Sequence, residues 1–152
     1  MTEKEAPLFA IEKLYVKDLS LEVPNAPAIF MEQQAPEINL QLQTAATKVG
    51  DDLYEAVLTA TVTAKAGEKT LFLVEIGQAG LFRVRNIPEN NLEPLLSIGC
   101  PNVLFPYARE AVSESVSRAG FPPVLLQPVN FEAMYAARLQ QQAQQQAETA
   151  KA

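Results

Sequence analysis

The chain has 152 residues, 48% of them hydrophobic, with one cysteine, no histidine and a formal net charge of −6. This length and apolar content suit one domain with a real core and exclude a disordered chain. With no His, and Cys100 as the single Cys, there is no imidazole base, no Ser–His or Cys–His pair, no ordinary zinc site and no internal disulfide. The acidic balance argues against nucleic acid and suits solubility or a basic protein partner. No Gly-rich loop followed by Lys marks a phosphate site, so no cofactor is expected. No apolar run reaches about 18 residues, and no charged start leads into an apolar segment, so the expectation is a cytoplasmic protein that does not insert into membranes.

Thr2 to Pro7 is polar and expected to fray. Phe9 to Leu21 reads as a first strand, with Phe9, Ile11, Lys13 and Tyr15 on one face and Leu14, Val16 and Asp18 on the other. Pro24-Asn25-Ala26-Pro27 ends it in a turn. Ala28 to Ala35 is a connection whose Ile29-Phe30-Met31 cluster requires burial. Ile38 to Gln43 alternates as a half-buried strand, closed by a turn at Gly50-Asp51-Asp52. Tyr54, Ala56, Leu58, Ala60, Val62 and Ala64 form one face of a long third strand, with Glu55, Thr59, Thr61 and Thr63 on the other. Ala66-Gly67-Glu68 makes a tight hairpin into a fourth strand, Lys69 to Phe82, where Phe72, Val74 and Ile76 oppose Leu71 and Leu73. An antiparallel sheet normally wets one face, so apolar residues on both faces ask for extra cover, most simply a second subunit. Asn86 to Gly99 connects onward, with a helical turn around Leu92 to Ser97.

The stretch from Cys100 to Phe131 organises the rest. Pro106 is placed in the first turn of a helix, where a missing N–H costs nothing. Leu104, Ala108, Ala111, Val112, Ser115 and Ala119 then form a stripe of mostly small residues at helical spacing. Gly120 suits a left-handed residue after the helix, and Pro122-Pro123 forbids continuation. The crossing from Phe121 to Val129 is strongly apolar, and such a loop surface needs a cover. Asn130 reads as the N-cap of a second helix with a stripe of Phe131, Met134, Tyr135, Arg138 and Leu139. Residues 1–139 make one domain, and Gln140 to Ala152 is a Gln/Ala-rich tail, helix-prone at first and mobile beyond. An Arg109–Glu110 pair is expected to hold the first helix, and Cys100 to be a buried structural thiol. The class is α+β: a four-stranded antiparallel sheet followed by two helices.

LFPYARE (Leu104 to Glu110), RAGFPP (Arg118 to Pro123) and PVNF (Pro128 to Phe131), with YVKDLSLEVPNAP (Tyr15 to Pro27) and FLVEIGQAGLF (Phe72 to Phe82), resemble the bacterial protein-export chaperone family SecB. The resemblance runs from about Phe9 to Leu139 in the family's order. It implies a holdase that binds unfolded precursor proteins, keeps them translocation-competent and delivers them to the motor ATPase SecA without hydrolysing ATP. It further implies a client groove beneath the crossing, which takes in Ile29, Phe30, Ile38, Leu40, Leu42, Phe121, Phe131 and Tyr135. Ala35 stands here where many members carry an aromatic. The positions matched to the SecA dock are Asp18, Glu22, Leu73 and Glu75, whereas the tail is poor in acid. Val74, Ile76 and Gln78, with Ala108, Ala111 and Ser115, fall where the family builds a homotetramer as a dimer of dimers.

Read from the residues alone, these groups also fit ordinary core and solvated charge. A small oligomeric enzyme or carrier for an acyl-like ligand is the leading rival, but the alternating strands supply no catalytic group for it. A purely structural oligomer is the other, separated by its indifference to unfolded polypeptide.

Overall fold

The computed structural model describes residues 5–151, so residues 2–4 of the segment expected to fray lie outside it. Four long strands come first: β1 (Leu8–Glu22), β2 (Glu37–Gly50), β3 (Leu53–Ala66) and β4 (Lys69–Arg85). All pairings are antiparallel, in the order β1-β4-β3-β2, so β1 and β2 are the edges. Gly67 turns the β3–β4 hairpin with φ +63°, and Asp52 turns the β2–β3 hairpin with φ 58°.

Register assigns the faces. Ala60 pairs with Ile76, Val62 with Val74 and Ala64 with Phe72, so these six share one face, and all are buried. Over that face lies a helical segment that begins earlier than the sequence spacing suggests. α1 (Glu89–Pro94) passes through a π turn, Leu95–Gly99, into α2 (Cys100–Arg118). Pro101 therefore falls in the first turn of α2, and Pro106 lies inside the helix rather than in its first turn. Leu104, Ala108, Val112 and Val116 pack down with 0% exposure against Leu58, Val62, Val74 and Ile76, also 0% exposed. Each large apolar side chain removed from water in this layer is worth about 1.5–3 kcal/mol.

Other expectations also need correction. Strict alternation fails in β1, because the pairing with β4 slips between Ile11 and Lys13 and again between Val16 and Asp18. An extra residue at each bulge re-phases the strand. Phe9, Ile11, Leu14, Val16, Leu19 and Leu21 consequently share the helix-covered side, while Lys13, Tyr15, Asp18, Ser20 and Glu22 share the helix-free side. The Ile29-Phe30-Met31 cluster, a short 3-10 turn over Ala28–Met31, is not buried as a unit. Ile29 is 4% exposed, whereas Phe30 and Met31 remain 48% and 84% exposed. The last helix, α3 (Phe131–Ala150), continues through most of the Gln/Ala-rich tail.

Candidate functional site

The site is built by the way α2 ends. Gly120 N–H donates to Ser117 O at 3.1 Å and Phe121 N–H to Val116 O at 3.2 Å, with Gly120 at φ +92°. This paired closure satisfies orphan carbonyls and turns the chain back over the sheet. Phe121 lands between Phe30, ring centres 5.2 Å apart, and Phe72, 5.3 Å apart. The crossing then runs over the helix-covered side with Leu126 7% exposed as its anchor. Asn130 Oδ1 accepts from Ala133 N–H at 3.0 Å and starts α3, which is pinned by buried Phe131 edge-on to Phe105 at 5.8 Å.

Two open cavities flank this crossing. One, of about 530 Å³, is lined by Ile29, Phe30, Ile38, Phe72, Phe121 and Leu125 among others. The second, of about 370 Å³, holds Leu42, Phe131, Met134 and Tyr135, with Thr44, Ser97 and Arg138 at its polar end. Leu40 lines neither. It is half-buried between them, on the β2 face shared by Ile38 and Leu42, which pair with Ala64 and Ala60. At about 3.3 Å per residue, Ile38 to Leu42 spans about 13 Å, so a single strand face joins the two cavities. Of the eight expected groove residues, the structure thus assembles seven into two cavities, with Leu40 on the path between them.

Sequence reasoning left out Thr44, Ser97, Met134 and Arg138, and the Pro122–Leu125 rim. Met134 and Arg138 were visible on the α3 stripe; nothing local pointed to Thr44 or Ser97.

The opposite side of the sheet carries Asp18, Glu22, Leu73 and Glu75 together. Glu22 pairs with Leu73, Ser20 with Glu75, and Asp18 with Gly77, two residues along. Asp18 and Glu22 are exposed, while Leu73 and Glu75 are half-buried, and Thr61 Oγ1 donates to Glu75 Oε1 at 3.1 Å. Beside them Tyr15 donates its hydroxyl to Glu55, and Lys17 Nζ meets Glu55 Oε1 at 2.7 Å. The Lys17 and Tyr15 hydrogen bonds hold the Glu55 carboxyl below its ordinary range. Desolvation, reinforced by Glu55, pushes the Tyr15 phenol up to about 12.

The third group lies inside the chain. Val74, Ile76 and Ala108 are 0% exposed and Ser115 6%, with Ala111 half-buried. Gln78, 4% exposed, donates Nε2 to Tyr15 O at 3.3 Å, which satisfies it locally. What stays open to another molecule is the apolar row of β1: Ile11, Val16 and Leu19 are each about half exposed. Arg109 lies over the Phe105 ring at 5.5 Å, and the side-chain ion pair found on α2 is Arg118–Glu114 at 3.4 Å, so the expected Arg109–Glu110 pair is replaced. Cys100 is fully buried, and desolvation raises its thiol to about 12.

Among the described residues no group of three His, Cys, Asp or Glu side chains gathers to hold a metal, and no helix is long and apolar enough to cross a membrane. The arrangement is suited to holding extended apolar polypeptide, because hydrophobic contact is non-directional and an edge strand runs alongside.

Known proteins agree with this architecture. The family model for SecB, preprotein translocase subunit SecB, matches residues 2–142. The protein-export protein SecB of Dechloromonas aromatica is 66% identical over 143 residues, covering 94% of both chains. That of Chromobacterium violaceum is 61% identical over 139 residues, covering 91% of both. A SecB-like chaperone of Mycobacterium tuberculosis, solved in complex with a ChAD peptide from the HigA1 antitoxin, shares the fold with TM-score 0.67 at 18% identity, over 80% of this chain and 90% of that one. Fold and relatives together define a non-enzymatic chaperone of protein export. The chain belongs to the SecB family.

Proposed function

We propose that the two cavities and the β2 face between them form one client groove, in which unfolded secretory precursors are held for translocation. The observation that carries this reading is the continuity of Ile38, Leu40 and Leu42 between two open apolar cavities in a chain of this family. The M. tuberculosis relative was solved with a bound peptide, which supports a peptide-binding role for the shared fold. Delivery to SecA uses the helix-free side through Asp18, Glu22, Leu73 and Glu75, so cargo and motor engage opposite sides of the sheet. Self-association into a homotetramer covers the exposed row of β1. Val74, Ile76 and Gln78 back that row from within, since Val16 pairs with Gln78 and Leu19 with Ile76. The setting is the cytoplasm, where precursors await export, and holding is independent of ATP.

The test is capture of a reduced, unfolded precursor beside its folded form. Leu42→Asp and Tyr135→Asp each place a charge in the groove and should weaken capture at least tenfold with the far-UV spectrum intact, since a charge left unpaired against apolar surface is costly. Full capture by both variants, or a strict need for ATP, overturns the reading.

A further inference from the structure

The groove does not end at Tyr135. Thr44, Ser97 and Arg138 line the cavity that holds Leu42 and Tyr135. The same three line another space, of about 350 Å³, which continues between Thr44–Ala46 of β2 and the α1 side. The partition between the two spaces is slight. Arg138 Nη2 donates to Ser97 Oγ at 3.0 Å, and its guanidinium lies 5.5 Å from the Tyr135 ring. Ser97 sits in the π turn Leu95–Gly99. Such single-turn widenings are rare in helices and cluster at functional sites.

Resting on the groove reading above, we propose that the Arg138–Ser97 hydrogen bond is a gate within the client groove. Closed, it confines a client to the stretch facing Ile38 to Thr44. Open, it admits the next residues of the same extended polypeptide as far as Ala46. Ile38, Leu40, Leu42, Thr44 and Ala46 alternate on one face of β2. At about 3.3 Å per residue, opening lengthens the path from about 20 to about 26 Å, or roughly two more client residues. Arg138 gains a second role once released. A guanidinium carries five N–H donors, and Ser97 takes one of them in the closed arrangement. Turned into the groove, the donors meet backbone carbonyls, which every client sequence supplies.

The experiment places the photo-crosslinker p-benzoylphenylalanine at Met134, at Ala46 or at Thr63 of the full chain, and irradiates each with a reduced, unfolded precursor. Met134 and Ala46 should label the client, and Thr63, on the helix-free side, should not. Ser97→Ala removes the acceptor and should raise labelling at Ala46 about twofold or more while leaving Met134 unchanged, because a lone half-buried hydrogen bond is a modest barrier. Arg138→Met keeps the apolar stem without the donors, and labelling at Ala46 should fall below that of Ser97→Ala. Labelling at Met134 with Ala46 at the Thr63 level in every variant overturns the extension and leaves the groove standing. Equal labelling at Ala46 with and without Ser97 overturns the gate. Silence at both Met134 and Ala46 overturns the groove itself, and the gate with it.

Discussion

Replacing Gly120 by Ala tests how the end of α2 shapes the groove, and Gly67→Ala is its control. Both glycines hold positive φ, +92° and +63°. A side chain in left-handed backbone costs about 1–2 kcal/mol, and both substitutions incur that strain. They differ in surroundings. A Cβ at Gly67 has Gln34 Oε1 as its nearest neighbour at 4.0 Å, whereas one at Gly120 would stand 3.1 Å from Phe30 Cε1, inside normal contact. Phe30 is 48% exposed and free to swing outward, but moving breaks its pairing with Phe121 at 5.2 Å. An aromatic pair contributes about 0.5–1.5 kcal/mol beyond its area. Gly67→Ala should therefore lower stability by about 1–2 kcal/mol, and Gly120→Ala by about 1.5–3.5 kcal/mol. With a urea slope near 2 kcal/mol/M, the midpoints should fall by about 0.5–1 M and about 0.75–1.75 M at matched protein concentration. Only Gly120→Ala should also weaken precursor capture, by about two- to tenfold, since the displaced ring lines the larger cavity. Equal midpoint shifts with unchanged capture in both variants would refute the placement of Phe30 in the groove wall.

Leu19→Asp, on the half-exposed row of β1, should shift light scattering towards smaller species with the fold retained, whereas Ile76→Asp, at 0% exposure, should unfold the chain through a buried unpaired charge worth about 3–5 kcal/mol. Retained secondary structure in Ile76→Asp would contradict the burial assigned to that side chain. Asp18→Lys and Glu75→Lys should weaken SecA binding while sparing precursor capture. The motor contact should also fade with salt, as exposed charges are screened over about 8 Å at physiological ionic strength; normal motor titration by both variants removes these carboxylates from the dock. Alkylation of Cys100 at pH 8, followed by mass, should be at least about a hundredfold slower in the folded protein than in urea, because burial keeps its thiol neutral with a pKa of about 12.

Local chemistry determined much of this protein. The alternation from Tyr54 to Ala64, the Gly67 hairpin, Gly120 followed by two prolines and the Asn130 cap each act over a few residues, so they are legible in the chain and reappear in the structure. The irregular, proline-punctuated words that resemble SecB identified the family, and the match over residues 2–142 agrees. The tertiary structure decided what depends on distant partners. The bulges of β1 exist only in its register with β4, so no period read along β1 alone could show which side Tyr15 faces. Val74 and Ile76 looked uncovered because the helix that covers them lies some thirty residues further on, and whether an apolar strand face meets its own chain or another is settled by where that helix packs. Arg138 and Ser97, 41 residues apart, become a pair only because α3 folds back over the π turn before α2. Propensity and capping act between near neighbours, whereas register and cover are set by the closing of long loops, and that is where the sequence pattern and the folded molecule parted.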